Sequence, residues 1–175
     1  GKNLKKIKNK SLVEITIDFI KKIESIDDIL ITSDSKKINN IAKKKNIKVV
    51  DKRPIGLSSI KTPSAFTVIH AVKWYEKNYK KKVDAIALFQ PTTPFRNKFF
   101  IKKCIEKFFS LKKTVASSNI NFKRKNLNLT DGSIYIINKS ELFKLKSFNE
   151  KNAVKIYSKS KINSIDIDNF NDFNK

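Results

Sequence analysis

Cysteine is nearly absent from this chain: Cys104 is the single one in 175 residues, so no disulfide framework can hold the fold. It lies on the apolar side of a helical pattern, which predicts a small buried hydrophobe in a reducing intracellular compartment. Histidine is as scarce. With His70 alone, inside a helical stretch and without a second imidazole or a cysteine partner, a zinc site is excluded and His70 reads as structural. Three glycines exclude a complete Gly-rich phosphate cradle within these residues. No apolar run approaches the ~18 residues of a membrane span and no signal-type segment opens the chain, so the expected location is the cytoplasm. No serine-centred nucleophile motif is present.

Acidic residues are few, 16 against 39 Lys and Arg, giving a formal net charge of +23. Such a balance raises nucleic acid as a partner. The lysines, however, are spread through every segment, as at Lys43 to Lys45 and Lys80 to Lys82, which reads as a chain-wide bias with solvated helix faces. A basic nucleic-acid-binding module is therefore the rival from another functional class. Either way, phosphate-bearing small molecules are attracted.

What the chain does have is an alternation of short apolar runs and amphipathic stretches. Ser11 to Ile23 fits a strand through Val13, Ile15, Ile17 and Phe19, or a helix through Leu12, Ile15, Phe19 and Ile23. Its length, with Ser11 and Glu14 spaced as a capping box, predicts the helix. Strands are expected at 28–32, 47–50, 114–117, 133–137 and 154–157. Helices are expected around Ile38 to Ala42, from Ser64 through Tyr75, from Phe100 to Phe108 and over 139–145. The order predicts a Rossmann-like three-layer α/β/α domain with a mostly parallel sheet, one domain over 1–175. Arg53-Pro54 opens a turn-rich loop, and 119–131 reads as an exposed loop carrying Lys123, Arg124 and Lys125.

The stretch from Asp84 to Arg96 organises the rest. Ile86 to Phe89 form an apolar run fit for a strand buried on both faces, ending abruptly at Gln90. Pro91 and Pro94 fix φ and cannot donate to a ladder, so Gln90, Thr92 and Thr93 are displayed at the strand's carboxyl end, the edge where open α/β sheets bind ligands. Near the end of the chain, Asp166 and Asp168 alternate with Ile165 and Ile167 and point to one side of an extended segment. On spacing alone the pair is either a site for one divalent cation or a solvated strand end.

Taken together, G-K-N-L at 1–4, T-S-D at 32–34, R-P-x-x-L at 53–57, V-I-H-A at 68–71, L-F-Q-P-T-T-P-F-R at 88–96, D-G-S-I-Y-I at 131–136 and S-I-D-I-D at 164–168 resemble, in order and mostly in spacing, the cytidylyltransferases that activate acidic sugars, above all the CMP-N-acylneuraminate synthetases. The resemblance implies Mg²⁺-dependent transfer of CMP from CTP to sialic acid or a related nonulosonic acid. A 3-deoxy-manno-octulosonate cytidylyltransferase is the nearest alternative. It implies that Asp166 and Asp168, chiefly Asp168, hold the metal; that Asn3, Arg53 and Ser64 face the cytidine and Lys2 the phosphates; and that Gln90 contacts the sugar, with Thr92 and Thr93 lining the same loop. Arg96 is expected to support the following helix. The family's first strand and phosphate loop would precede Gly1, so weak or absent activity is expected of this chain as given. Ile60 replaces a commonly acidic residue, Leu129 stands at a position often held by arginine, and 119–131 is shorter than the family's segment for sugar contacts and homodimerisation. Lys123 or Arg124 is the candidate replacement for the cationic contact to a sugar carboxylate.

Overall fold

A computed structural model describes residues 1–51, 53–59, 61–119, 130–160, 165 and 167. The chain opens with a 3-10 turn, Lys2–Leu4, and a small antiparallel hairpin of β1 (Lys6–Ile7) and β2 (Lys10–Ser11), with Lys8 at φ +53 in its turn. Helix α1, Leu12–Ile20, starts on the expected capping box. The Ser11 hydroxyl accepts from the Glu14 N–H, and the Glu14 carboxylate accepts from the Ser11 N–H at 2.9 Å. These bonds satisfy amides that a helix start leaves without partners, and they settle the strand-or-helix ambiguity in favour of helix. The Ser11 hydroxyl, which also donates to the Glu14 carboxylate at 2.5 Å, and then the Ser11 N–H hold the Glu14 carboxyl below its usual range.

Strand β3 (Leu30–Ile31), helix α2 (Lys36–Lys44) and strand β4 (Lys48–Val49) form a parallel βαβ unit. Val13 and Ile17 of α1 pack there against Ile38, Ala42, Ile47 and Val49. Helix α3, Ser64–Tyr79, follows, then β5 (Ala85–Leu88), α4 (Lys98–Leu111), β6 (Val115–Asn119), β7 (Tyr135–Asn138), α5 (Lys139–Leu145) and β8 (Val154–Ser158). The last four strands make one sheet in the order β5-β7-β6-β8. Strand β8 runs parallel to β6, whereas β7 is antiparallel to both its neighbours, so β5, β6 and β8 share one direction and β7 opposes them.

Strand alternation sorts the side chains into two cores. Ala85, Ala87, Ile134 and Ile136 face α4, whose Ile101, Cys104, Ile105 and Phe108 recur at helical spacing. Ile86, Leu88, Tyr135 and Ile137 face the other way, onto Val68 and Val72 of α3 and Leu142 of α5. Helix, sheet and helix thus form the three layers expected. Cys104 is fully buried, as expected, and burial pushes its thiol up to about 12. The residues of β5 are half-buried where burial on both faces was expected, because β5 is paired on one edge only among the described residues.

Two polar ties fasten α3 to the strands. Tyr75 donates to Asp28 at 2.5 Å beside Lys48, whose ammonium bonds the same carboxylate and lies 5.0 Å from the Tyr79 ring centroid. Burial, then the bond to Asp28, pushes the Tyr75 hydroxyl up to about 12. Glu76 accepts from Lys139 at 2.6 Å and from the Val83 N–H at 2.9 Å, fixing the entry to β5.

Helices α3, α4 and α5 all end on a left-handed lysine, Lys80, Lys112 and Lys146, with φ between +50 and +54. A Cβ makes that conformation costly by roughly 1 kcal/mol, and glycine there gives part of the gain back as chain entropy. Replacing each exposed lysine by glycine is expected to stabilise the fold by about 0.5 kcal/mol, additively over these separated sites, read as a rising urea midpoint at constant slope.

Candidate active site

The strand β5 delivers Gln90 into a tight turn in which the Thr93 N–H donates to the Gln90 carbonyl at 3.1 Å. Pro91 and Pro94 stiffen it, as their fixed φ requires. Thr93 is fully buried and its hydroxyl donates to the Asp131 carbonyl at 3.3 Å. A second turn, Asp131-Gly132-Ser133, therefore backs onto the first.

That second turn is pinned by its own side chain. Asp131 is buried, and its Oδ1 accepts from the Ser117 hydroxyl at 2.5 Å and from the Ser133 N–H at 2.9 Å. The Ser117 hydroxyl in turn accepts from the Ile134 N–H at 2.9 Å. The other oxygen, Oδ2, is buried without a hydrogen-bond partner among the described residues.

Arg96 joins the two turns. Its Nε donates to the Ser133 carbonyl at 2.9 Å, one terminal nitrogen to the Gln90 carbonyl at 2.5 Å and the other to the Thr16 hydroxyl of α1 at 3.3 Å. The guanidinium carbon lies 5.5 Å from the Phe89 ring centroid. Desolvation presses its pKa down to about 9, opposed by the negative charge of Asp131. It remains the cation at neutral pH. Arg96 was expected to support the following helix; its partners are instead the turns and α1.

Ile167 meets the same place. The Ile167 N–H donates to the Thr92 carbonyl at 2.8 Å, and Ile167 is 1% exposed. Ile167 is the residue between Asp166 and Asp168, which themselves lie outside the described residues, as do Ile60, Lys123, Arg124 and Leu129. Among the described residues no group of three or more His, Cys, Asp or Glu could hold a metal ion. A carboxylate pair supplies only oxygen donors, which suits a hard cation such as Mg²⁺.

The remaining expected site residues fall into two further groups. Arg53 reaches the first turns of α3, the helix that Ser64 opens: its Nε donates to the Leu57 carbonyl at 3.0 Å and a terminal nitrogen to the Thr67 hydroxyl at 3.4 Å. In this structure the Arg53 guanidinium therefore braces its own loop. Ser64 is exposed as the first residue of α3. Lys2 and Asn3 stand on the opening 3-10 turn, whose Leu4 packs against the α1–α2 core. His70 is half-buried on α3, its Nδ1 enclosed and without a partner among the described residues. Asp131, Ser117 and the bridging role of Arg96 were not singled out from the sequence. The Asp-Gly pair before an apolar run was a signal for the second turn, though not for its contacts.

This arrangement, polar turns at the carboxyl end of a strand in a three-layer α/β/α sandwich, is that of Rossmann-like nucleotidyltransferases. The fold is similar to a CMP:2-keto-3-deoxy-manno-octonic acid synthetase solved with CTP, with TM-score 0.59 at 9% identity over 90% of this chain and 84% of that one. It is also similar to 4-diphosphocytidyl-2C-methyl-D-erythritol synthase from Anaerococcus prevotii, with TM-score 0.61 at 16% identity over 99% and 88% of the two chains. A further synthase of that name gives 0.62 at 11% identity over 99% and 92%. No curated relative matches. The cytidylyltransferase family profile matches residues 1–162, and the chain belongs to that family.

Proposed function

We propose that this cytidylyltransferase moves CMP from CTP onto an acidic sugar, sialic acid or a related nonulosonic acid, with Mg²⁺. The anomeric hydroxyl oxygen bonds to the α-phosphorus as the bond from that phosphorus to the bridging oxygen breaks; pyrophosphate leaves with its electrons and the hydroxyl proton passes to solvent. Such a transfer needs positioned cations and oriented reactants more than a covalent nucleophile. Asp166 and Asp168 are assigned to the metal, Gln90 and Thr92 to the acceptor, Arg53, Ser64 and Asn3 to the nucleoside and Lys2 to the phosphates. The metal, when bound, neutralises charge on the transferring phosphate.

The observation that carries this reading is the bond from the Ile167 N–H to the Thr92 carbonyl. It holds Ile167, the residue between Asp166 and Asp168 in the sequence, against the loop that presents Gln90. An octulosonate acceptor is the second reading, since one structure of similar fold is named for that acid.

The test is pyrophosphate release with CTP, Mg²⁺ and a panel of sialic acid, 3-deoxy-manno-octulosonate and 2C-methyl-erythritol 4-phosphate. Release from the chain as given is expected to be weak, to need a sugar acid, to stop on chelation, and to fail with ATP. Turnover confined to the erythritol phosphate would reject the acidic-sugar assignment, and salt-sensitive binding to arbitrary duplex DNA without CTP protection would favour the basic-module reading.

A further inference from the structure

We infer that Gly132 is a positioning residue for the Gln90 carboxamide and so for the acceptor; this rests on the acceptor reading given above. Gly132 has φ +74, in the left-handed region. A Cβ built on it would stand 2.5 Å from Gln90 Oε1, 2.9 Å from Thr93 Oγ1 and 3.6 Å from Gln90 Cδ. The carboxamide of Gln90 therefore lies in the space that any other residue at 132 would fill. Its amide rests on the bare α-carbon.

The neighbours of Gly132 decide which part yields to a Cβ. Asp131 and Ser133 are buried, and their carbonyls are held by Thr93 and Arg96. Thr93 is fully buried beneath them. Gln90 is half-buried and its carboxamide is the end of a flexible side chain, so it moves furthest, while the buried Thr93 hydroxyl at 2.9 Å and the positive φ add strain to the turn itself. A carboxamide offers donors on one side and an acceptor on the other, and only a fixed orientation makes it selective for one arrangement of hydroxyl and carboxylate groups. The glycine floor supplies that orientation.

The direct observation is a nuclear Overhauser contact between the Gly132 α-protons and the Gln90 side-chain amide protons in the unsubstituted chain. It is expected to be present, and its absence overturns the positioning. In steady-state kinetics, Gly132→Ala is expected to raise the acceptor KM by about 10- to 100-fold, the loss of one or two hydrogen bonds, while the CTP KM stays within about twofold. Gln90→Ala is expected to do the same, and Gly132→Ala to add nothing to it. A further rise in the double variant would show that Gly132 acts otherwise than through Gln90. If Gln90→Ala leaves the acceptor KM unchanged while the Overhauser contact is seen, the acceptor assignment fails and the positioning of the side chain stands. Gln90→Asn, which leaves the backbone of the second turn untouched, should reproduce the KM effect if Gly132→Ala does not fold; an unchanged acceptor KM there removes the acceptor role, and the absence of the Overhauser contact overturns the positioning.

Discussion

Arg96→Met is expected to destabilise the protein by roughly 3 kcal/mol, because three acceptors lose a charged donor at once and the loss is not additive. The acceptors are the carbonyls of Gln90 and Ser133 and the hydroxyl of Thr16, on three different elements. Methionine replaces the stem of the side chain and little of its reach. Asp131, buried with one oxygen unpartnered among the described residues, also loses the cation that faces it. Stability of a domain this size is about 5–15 kcal/mol, so the variant should fold with a clearly lowered urea midpoint. Amide exchange locates the effect. The Thr93 and Ile167 N–H groups, which bond to Gln90 and Thr92, should exchange faster, while those of β6 should keep their protection until global unfolding. Unchanged stability would refute the joining role. Arg96→Lys should recover only part of the loss, since an ammonium cannot reproduce the fork of a guanidinium.

Asp168→Asn, and to a lesser degree Asp166→Asn, are expected to lower CMP transfer by about 10²- to 10³-fold under the proposed reading. Asparagine keeps the shape and one carbonyl oxygen and loses the charge that holds a divalent cation. The bond between Ile167 and Thr92 is made by the main chain and does not depend on either carboxylate. Pyrophosphate release measured across a Mg²⁺ titration separates the outcomes: weakened metal binding shifts the titration midpoint upward. Near-normal rates at ordinary Mg²⁺ in both variants would remove the pair from the metal site.

Much of this was readable from local chemistry. The capping box of α1 was legible because its bonds join residues three apart, and the helical spacing on α3 and α4 because each buries a single stripe. The proline turn after β5 was legible because proline fixes φ whatever its surroundings. The contacts of Arg96 were not, since Ser133 and Thr16 lie 37 and 80 residues away. The direction of β7 was not, because an alternation of strand and helix carries no sign of a strand entering from the opposite end. The β1–β2 hairpin was missed as well. Its strands are two residues long with Ile7 as their single apolar residue, too short to show alternation, and Lys8 adopts φ +53 where Gly or Asn would have signalled a turn. Arg53 shows the limit of a motif: the resemblance assigns it to the cytidine, and in this structure its guanidinium grips the Leu57 carbonyl.

The pairing of β5 has a further consequence during synthesis. Leu88 is hydrogen-bonded in register with Tyr135, and Ala85 with Asn138, and β5 has no other partner among the described residues. On a ribosome adding ~5–20 residues per second, the Gln90 loop would leave the tunnel roughly 2–10 seconds before the strand that supports it. For that interval an apolar edge and the proline-stiffened turn after it stand exposed on the nascent chain. Synonymous codons that slow translation between Phe89 and Tyr135 would lengthen the exposure, with aggregation as the cost.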